Sequence, residues 1–486
     1  MKSSKRGRFK PVEIGKVDGV RAVLEAVPEE MTAFGGAPML AEVEKKVGLV
    51  EELSGRVHDS RVQHLVDHKK FDILLQRACQ IGTGFVDGNA CDWLRNDPGI
   101  MLGLDRDPTS GRPGASQETV SRFEGKVLDR NNVKVVREIF TDHFIAQQKK
   151  RPKEVELDCD GTMMKTYGAQ EGSVYRGGKY KHTMYFPLKI FCGDWLLATV
   201  LRRGDQAEAR TILAQLKMVV GKLRAKWPAL RIKVRMDSAF GSPELYQWLR
   251  QERIAYEIGL RPTSVLDLYA KWFMKEAEEK FRKLHGEPRF MGKDGKKEAQ
   301  QEHARIRGLE KHERMEEEEK WRKRRTRVVG EFCYKPESWK HLKWTEWERV
   351  ICRVDFTDKG LDVHYVLVSR QYGVPQRIYE EDYCRRGMAE QCIGRFKQTG
   401  QRLSAQEFHS NQFRLVMYGV AYMLLMHLRE YAARRLRRAD VNTLRKTLML
   451  MPMVVRRTEK KIVLQVSEKH AHCREFLDTW RRLSAA

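Results

Sequence analysis

The stretch of sequence that most constrains the fold is an ordered series of strand and helix patterns between residues 155 and 260. In 155–160 the apolar Val155, Leu157 and Cys159 alternate with carboxylates, which is typical of a strand with one buried face. The whole series predicts three antiparallel strands, a helix, a strand, a helix and a strand, hence an α/β core around a mixed five-stranded sheet. The predicted segments are 155–160, 185–191, 195–201, 205–227, 231–236, 243–251 and 255–260.

Two aspartates stand at strand ends in this series. Asp160 lies at the C-terminal end of the first strand, before Gly161, and Asp237 directly follows the strand at 231–236. This order of elements is that of a ribonuclease-H-like core, in which the two strand ends are neighbours. A single aspartate at a strand end is more often a turn or cap residue. Asp158 shares the strand face of Asp160 and is its main rival as a functional carboxylate.

A third carboxylate lies on a predicted helix over 383–397. At about 100° per residue, its polar residues fall within an arc of about 60°, and an apolar stripe on the other side is predicted to face a core. A carboxylate flanked by basic groups and a phenol is suited to holding a metal ion against a phosphate chain. The alternative is an exposed Arg386–Glu390 ion pair, worth about 0.2–0.5 kcal/mol. The polar face comprises Tyr383, Arg386, Glu390 and Lys397, and the stripe comprises Met388, Cys392 and Phe396.

This polar face resembles the Y-R-E-K signature of bacterial cut-and-paste insertion-sequence transposases, the DDE enzymes of the insertion-sequence-four superfamily. Residues 387–389 and 411–414 are most similar to its thirteen-eighty branch, and so are 116–123 near the N-terminus. The family's Asp-x-Thr pattern matches Asp160 and Thr162, which favours Asp160 over Asp158. The resemblance implies catalytic and metal-binding roles for Asp160, Asp237 and Glu390, and DNA-phosphate binding by Tyr383, Arg386 and Lys397.

The same resemblance implies two Mg²⁺ ions as cofactor, with Mn²⁺ able to substitute. Carboxylates without a ligating His or Cys suit these oxygen-preferring ions and do not suit zinc. In this chemistry two ions about 3.5–4 Å apart activate water or a 3′-hydroxyl and neutralise the leaving oxygen. Without metal, close carboxylates repel one another and the pKa of at least one should rise.

The charge balance points to a polyanionic partner. Lys plus Arg is 92 and Asp plus Glu is 66, which gives a net charge of +26, and nucleic acid is the first candidate. A ribosome-associated or merely basic protein is the alternative. The most apolar run, 415–428, is too short to cross a bilayer. No Cys-x-x-Cys occurs, which argues against a zinc ribbon, and the nine scattered cysteines suit reduced thiols in a cytosol. The resemblance implies a bacterial cytoplasm, with the protein on the nucleoid when DNA is bound.

Five regions are predicted along the chain. The helical N-terminal region either binds the inverted repeats at the element's ends, with residues 1–8 as a basic arm, or is a helical scaffold with solvated basic residues. The C-terminal region is assigned a role in dimerisation. The regions are 1–150 (N-terminal), 151–265 (first part of the core), 266–347 (charged insertion), 348–430 (second part, with the Glu390 helix) and 431–486 (C-terminal).

Three tryptophans lie at the C-terminal end of the predicted insertion. In relatives that cut through a DNA hairpin, an aromatic residue of the insertion stacks on a flipped base, and such stacking is worth about 1–3 kcal/mol per base. The alternative for Trp339, Trp344 and Trp347 is packing in the core.

The resemblance implies a transposase that binds double-stranded inverted repeats, cuts the element out and joins its 3′ ends to target DNA. Two active sites acting on two ends imply a homodimer in the DNA complex. One alternative is a metal-dependent endonuclease of the same fold without strand transfer. Another is a DNA-binding derivative that has lost catalysis.

Overall fold

The protein has a mixed α/β structure with one large mixed sheet. In this computed structural model no helix of the described residues is long and apolar enough to span a membrane. The predicted arm at 1–8 and the residues Trp339 and Trp344 lie outside the described residues. The structure describes residues 9–127, 135–178, 180–204, 208–291, 294–335 and 347–485.

The chain divides into two compact units, and each is assembled from stretches far apart in sequence. The first unit consists of Met1–Val136, Tyr167–Glu171 and Arg395–Ala486. The second unit consists of Arg137–Thr166 and Gly172–Gly394, and it contains the large sheet.

Side-chain caps begin several of the helices. Ser116 is one such cap, since its hydroxyl accepts a hydrogen bond from the backbone N–H of Thr119 at 3.3 Å. Ser242 does the same for Leu245 ahead of the predicted helix at 243–251. The helices are α1 Ala37–Val47, α2 Leu49–Arg56, α3 Lys70–Thr83, α4 Cys91–Leu94, α5 Pro98–Gly103, α6 Gln117–Arg122, α7 Ile139–Gln147, α8 Glu208–Lys226, α9 Pro243–Gln251, α10 Ser264–His285, α11 Gly295–Arg307, α12 Lys311–Lys323, α13 Pro375–Arg377, α14 Arg386–Thr399, α15 Phe408–Tyr431, α16 Val441–Leu444 and α17 Cys473–Ala485.

The strands follow the alternating apolar patterns closely in the predicted core. The predicted run at 185–191 is split into two strands, whereas 155–160, 231–236 and 255–260 are each one strand. The strands are β1 Val12–Val17, β2 Val20–Leu24, β3 Glu30–Thr32, β4 Glu154–Gly161, β5 Met164–Lys165, β6 Val174–Arg176, β7 His182–Tyr185, β8 Leu188–Cys192, β9 Trp195–Val200, β10 Arg231–Met236, β11 Ala255–Leu260, β12 Arg325–Tyr334, β13 Glu348–Thr357, β14 Gly360–Val368, β15 Met453–Arg457 and β16 Ile462–Val466.

The large sheet has the strand order β12-β13-β14-β11-β10-β4-β8-β9. Strand β10 runs parallel to both β4 and β11, and every other neighbouring pair is antiparallel. The prediction of five strands was therefore wrong for the described residues, because β14, β13 and β12 extend the sheet beyond β11 to eight strands.

Strand β12 was not predicted, because charged residues interrupt its apolar pattern. It lies inside the range 266–347 that was assigned to a charged insertion. Arg327 donates to both carboxylate oxygens of Asp355 on β13, at 2.8 and 3.0 Å. Arg325 lies 3.7 Å from the same carboxylate. Cross-strand pairs of this kind let a charged sequence form a regular ladder.

One face of the central strands forms the core of the second unit. Val155, Leu157 and Cys159 of β4 are buried with residues of α8 and α9. Each such apolar side chain contributes about 1.5–3 kcal/mol when it is fully buried. Because side chains alternate along a strand, this burial turns Asp158 and Asp160 to the opposite face of the sheet.

The first unit contains helices and two small sheets. Helix α15 packs against α1 and α3. Strands β15 and β16 form an antiparallel hairpin, and β3 adds a third strand to it. Strands β1, β2 and β3 were not predicted in the N-terminal region, where β1 and β2 pair with each other.

Candidate active site

The fold brings Asp160 and Asp237 to one edge of the large sheet. Strands β4 and β10 are parallel neighbours, with Cys159 paired to Met236, so the next residue on each strand is one of the two aspartates. Burial raises the pKa of Asp160 to about 6, and the charge of Asp237 adds to this rise. The two carboxylates are thus electrostatically coupled, and the pKa of one of the three predicted catalytic carboxylates is raised, with burial as the larger cause.

Backbone contacts fix the side chain of Asp237. Its Oδ1 accepts a hydrogen bond from the backbone N–H of Ala239 at 2.9 Å, in the turn that follows β10. This local contact holds the carboxylate at the strand end.

Tyr383 is buried against the end of β10. A Cβ at position 259 of β11 would lie 3.0 Å from the Tyr383 hydroxyl and 3.0 Å from the backbone nitrogen of Ser238, so Gly259 leaves room for the ring. Burial raises the pKa of Tyr383, Arg386 opposes the rise and the charge of Asp237 reinforces it. The phenol therefore lies close to Asp237.

Arg386 is the cation shared by this cluster. Burial lowers the pKa of Arg386, but nearby negative charges outweigh it, so the pKa lies above its ordinary value. The groups that raise it are Tyr383, Asp160, Asp237 and Glu390. Its guanidinium carbon is 6.0 Å from the ring centroid of Tyr383. Its Nη2 donates to Oε1 of Glu390 at 3.3 Å. The charges of all three predicted catalytic carboxylates thus act on a single guanidinium.

Glu390 lies at the rim of the cluster. Its side chain is 63% exposed, and it forms an ion pair with Arg386, one turn earlier on α14. Within the described residues, no three His, Cys, Asp or Glu side chains lie close enough together to hold a metal ion. The structure brings Asp160, Asp237, Tyr383 and Arg386 together, and joins Glu390 to them only through Arg386.

The helix that carries Glu390 differs in part from the predicted one. Helix α14 begins at Arg386, after a π-helical turn Ile378–Asp382 and a 3-10 turn Tyr383–Arg385. Cys392 and Phe396 are buried as predicted, whereas Met388 is 59% exposed. The prediction for Met388 was wrong because the buried stripe starts only one turn later, at Cys392.

Lys397 lies about two turns beyond Glu390 on α14. This end of the helix belongs to the first unit, whereas Glu390 belongs to the second. The role of Lys397 at DNA phosphates stays a prediction.

Trp347 lies away from the acidic edge of the sheet. It is 57% exposed and lines a groove with Arg253 and Ala255, at the start of β11. Ala255 pairs with Lys233, and Asp237 lies four residues further along β10, about 13 Å away. The prediction that Trp347 packs in the core was therefore wrong, and the prediction that it stacks on a base is not tested.

Sequence reasoning missed two basic residues beside the aspartates. Lys189 of β8 is directly opposite Asp160 in register, is buried, and lowers the pKa of Asp160. Its only signal in the sequence is a lone Lys within an apolar strand. Arg235 binds both carboxylate oxygens of Asp158, at 2.8 and 2.9 Å. Because Asp158 is occupied in this way, Asp160 is the aspartate of β4 that faces Asp237.

Replacing Asp160 by Asn should stabilise the metal-free protein at high pH. A carboxyl whose folded-state pKa is raised from 3.8 to about 6 costs stability once it is charged. The cost is absent below about pH 4 and complete above about pH 6. Asn carries no charge, so the free energy of unfolding of Asp160→Asn should exceed that of wild type by about 1–3 kcal/mol at pH 8. Urea unfolding in EDTA between pH 4 and pH 8 measures this difference.

Asp355 provides a control of opposite sign. In spite of burial, Arg327 and Arg353 hold the pKa of Asp355 below its ordinary value. The free energy of unfolding of Asp355→Asn should therefore lie below that of wild type, and this deficit should be complete above about pH 4 and shrink only at lower pH. Equal pH dependence of the two variants would contradict the coupling of Asp160 with Asp237.

Comparison with known proteins yields one family. A family model described as Transposase DDE domain group 1 matches residues 16–486. No curated protein matches the chain significantly. Among solved structures, a cryo-EM structure of a piggyBac transposase synaptic complex with hairpin DNA is similar, with 11% identity and a TM-score of 0.39. That match covers 85% of this chain and 79% of that chain.

Proposed function

The chain belongs to the DDE transposases of group 1, and from this premise we propose that it carries out cut-and-paste transposition of an insertion sequence. It hydrolyses phosphodiesters at the element ends and transfers the 3′-hydroxyl ends to target DNA. The main support is the coupled pair Asp160 and Asp237 at one sheet edge, with Arg386 and Tyr383 beside it.

The strand order supports a ribonuclease-H-like core. The central strands β9-β8-β4-β10-β11 include three antiparallel strands followed by two parallel ones, with α8 and α9 as the connections. This is the order that was predicted to place an aspartate on the first strand beside another at the end of the fourth. The Y-R-E-K signature, with Tyr383 just before α14 and Arg386, Glu390 and Lys397 on it, supports membership of the insertion-sequence-four superfamily and its thirteen-eighty branch.

The donor set fits Mg²⁺ or Mn²⁺. Asp160 and Asp237 offer carboxylate oxygens, and the raised pKa of Asp160 means that a bound cation would relieve their repulsion. Glu390 is exposed and one turn from the shared Arg386, so its side chain has room to join them. Two bound ions would supply the activation of water or 3′-hydroxyl and the neutralisation of the leaving oxygen.

The other signature residues hold DNA. Arg386 and Lys397 bind phosphate oxygens on either side of the scissile bond, because guanidinium and ammonium groups make charge-assisted hydrogen bonds to phosphate. The Tyr383 hydroxyl, fixed against Gly259, orients the strand beside Asp237. The N-terminal region binds the inverted repeats, and one of Trp339, Trp344 and Trp347 stacks on a flipped base. Two copies act together on two ends in the bacterial cytoplasm.

Replacing Arg386 by Gln should change metal affinity and catalysis in opposite directions. Loss of this cation removes a charge that competes with Mg²⁺ for the carboxylates, so the metal should bind about 3- to 10-fold more tightly. DNA cleavage should slow about 10²-fold, because the phosphate loses a positioned donor. Calorimetric Mn²⁺ titration and single-turnover cleavage measure the two effects. Weaker metal binding by Arg386→Gln would contradict this arrangement.

The proposed function is tested with the DNA that flanks the protein's own gene. Wild type should cut this DNA with Mg²⁺ and not in EDTA, and should join pre-cleaved ends to a target plasmid. Cleavage without joining would identify the endonuclease alternative. Binding of the DNA without cleavage under any divalent ion would identify the non-catalytic derivative.

A further inference from the structure

A buried ion pair lies directly behind the two aspartates. Nε and Nη2 of Arg235 on β10 donate to Oδ1 and Oδ2 of Asp158 on β4, at 2.8 and 2.9 Å. Their side chains are only 4% and 5% exposed. Each residue lies two positions before a predicted catalytic aspartate on the same strand face, which is a separation of about 7 Å.

The same guanidinium reaches a third element. Nη1 of Arg235 donates to the backbone carbonyl of Asp382 at 3.0 Å. Asp382 directly precedes Tyr383, at the start of the segment that carries Arg386 and Glu390. One side chain therefore joins the two strands that end in Asp160 and Asp237 to the segment that bears the remaining residues of the site.

Further charges fix Asp382 at this place. Lys233 lies 3.9 Å from its carboxylate and 2.6 Å from that of Glu257 on β11. Nη1 of Arg370 donates to Oδ2 of Asp382 at 3.3 Å. Both the backbone and the side chain of Asp382 are thus held by basic residues.

The two strands do not need this ion pair to stay together. Strands β4 and β10 are paired in register from Arg231 with Glu154 to Met236 with Cys159. The segment 378–385 has no such ladder, because it is built from a π-helical and a 3-10 turn. Buried ion pairs also add little net stability compared with a well-packed apolar pair. The bond to Asp382 is therefore what the ion pair supplies that the sheet lacks.

We propose that Arg235 is a positioning residue for the transposase reaction, and that Asp158 serves to orient it. By binding the Asp382 carbonyl, Arg235 sets the distance between the strand-end aspartates and the segment that carries Tyr383, Arg386 and Glu390. This inference rests on the proposed function, because it concerns the geometry of the same active site.

The test replaces the ion pair with an apolar pair. Arg235→Met alone leaves the Asp158 carboxylate buried without its partner, and should lower the melting temperature by roughly 5–10 °C. Asp158→Leu combined with Arg235→Met should recover most of that loss. The double variant should nevertheless show a kcat for DNA cleavage about 10²-fold below wild type, with KM for DNA within about twofold. Half-saturation by Mg²⁺ should require about tenfold more metal, since metal ligands depend on the residues that orient them.

Two further variants keep the result unambiguous. Arg231→Gln removes a pair with Glu154 that joins the same two strands at their exposed far end, and should leave kcat unchanged. Arg235→Lys keeps a positive charge beside Asp158 but cannot bind Asp158 and the Asp382 carbonyl together as the planar guanidinium does. It should therefore lower kcat with KM unchanged, and this holds even if the double variant does not fold. Recovery of both stability and kcat by the double variant, or an unchanged kcat in Arg235→Lys, would overturn the proposal. Absence of cleavage by wild type as well as by Asp237→Asn would instead refute the proposed function.

Discussion

Replacing Asp237 by Asn is expected to abolish Mg²⁺-dependent DNA cleavage, with a loss of about 10³-fold or more in kcat. A positioned divalent ion stabilises transition-state charge by several kcal/mol, which corresponds to roughly that factor in rate. Asn preserves the shape of the side chain and its hydrogen bond from Ala239, so the strand end should keep its conformation. Cleavage of end DNA under single-turnover conditions measures the effect, and the affinity for DNA without metal should stay within about threefold.

Asp362→Asn is the matched control for that variant. Asp362 belongs to the same sheet, on β14, and pairs with Arg353 on its exposed side. Its replacement should leave kcat unchanged, because an exposed ion pair contributes only about 0–1 kcal/mol. Equal activity of Asp237→Asn and Asp362→Asn would remove Asp237 from the active site.

The second large effect is expected at Glu390. Glu390→Gln should reduce cleavage by about 10³-fold, because Gln cannot supply the negative charge that a divalent ion requires. In the metal-free protein the same change should barely alter the melting temperature, since the side chain is exposed and paired only along its own helix. The combination of full stability with lost activity distinguishes a catalytic carboxylate from a structural one.

Helix geometry offers a close control for Glu390. Arg377 and Glu381 form another pair four residues apart, also at 3.3 Å and also with an exposed carboxylate. If Glu390 only formed a surface ion pair, Glu381→Gln and Glu390→Gln would behave alike. Retained cleavage in Glu390→Gln would leave two coupled aspartates without their third partner, and the proposed chemistry would fail.

Most of the central strands and helices could be predicted from the sequence, because the apolar patterns that define them span only a few neighbouring residues. Alternation in 155–160 and 231–236 predicted two strands that end at Asp160 and Asp237, and the register of β4 with β10 confirms that these ends are neighbours. One strand of the large sheet, β12, was not predicted. Strand β12 has charged residues at Arg325 and Arg327, whose partner Asp355 on β13 is far away in the chain.

The partners within the site could not be predicted in the same way. Asp158 and Asp160 share one strand face, and although the Asp-x-Thr pattern favoured Asp160, the partner that occupies Asp158, Arg235, was not predicted. The helical wheel correctly grouped Arg386 with Glu390, but it assumed a regular helix from Tyr383, whereas α14 begins at Arg386. Interactions between distant segments, such as that of Arg235 with Asp382, leave no periodic signal in a single sequence.

The most direct test of the central claim is a crystal structure of the protein with end DNA and Mn²⁺, with data that include the anomalous signal of the metal. Two Mn²⁺ peaks about 3.5–4 Å apart are expected, held by carboxylate oxygens of Asp160, Asp237 and Glu390, with Glu390 moved from its partner Arg386. Metal bound by other residues, or Glu390 still paired with Arg386 and distant from the ions while DNA is bound, would contradict the account.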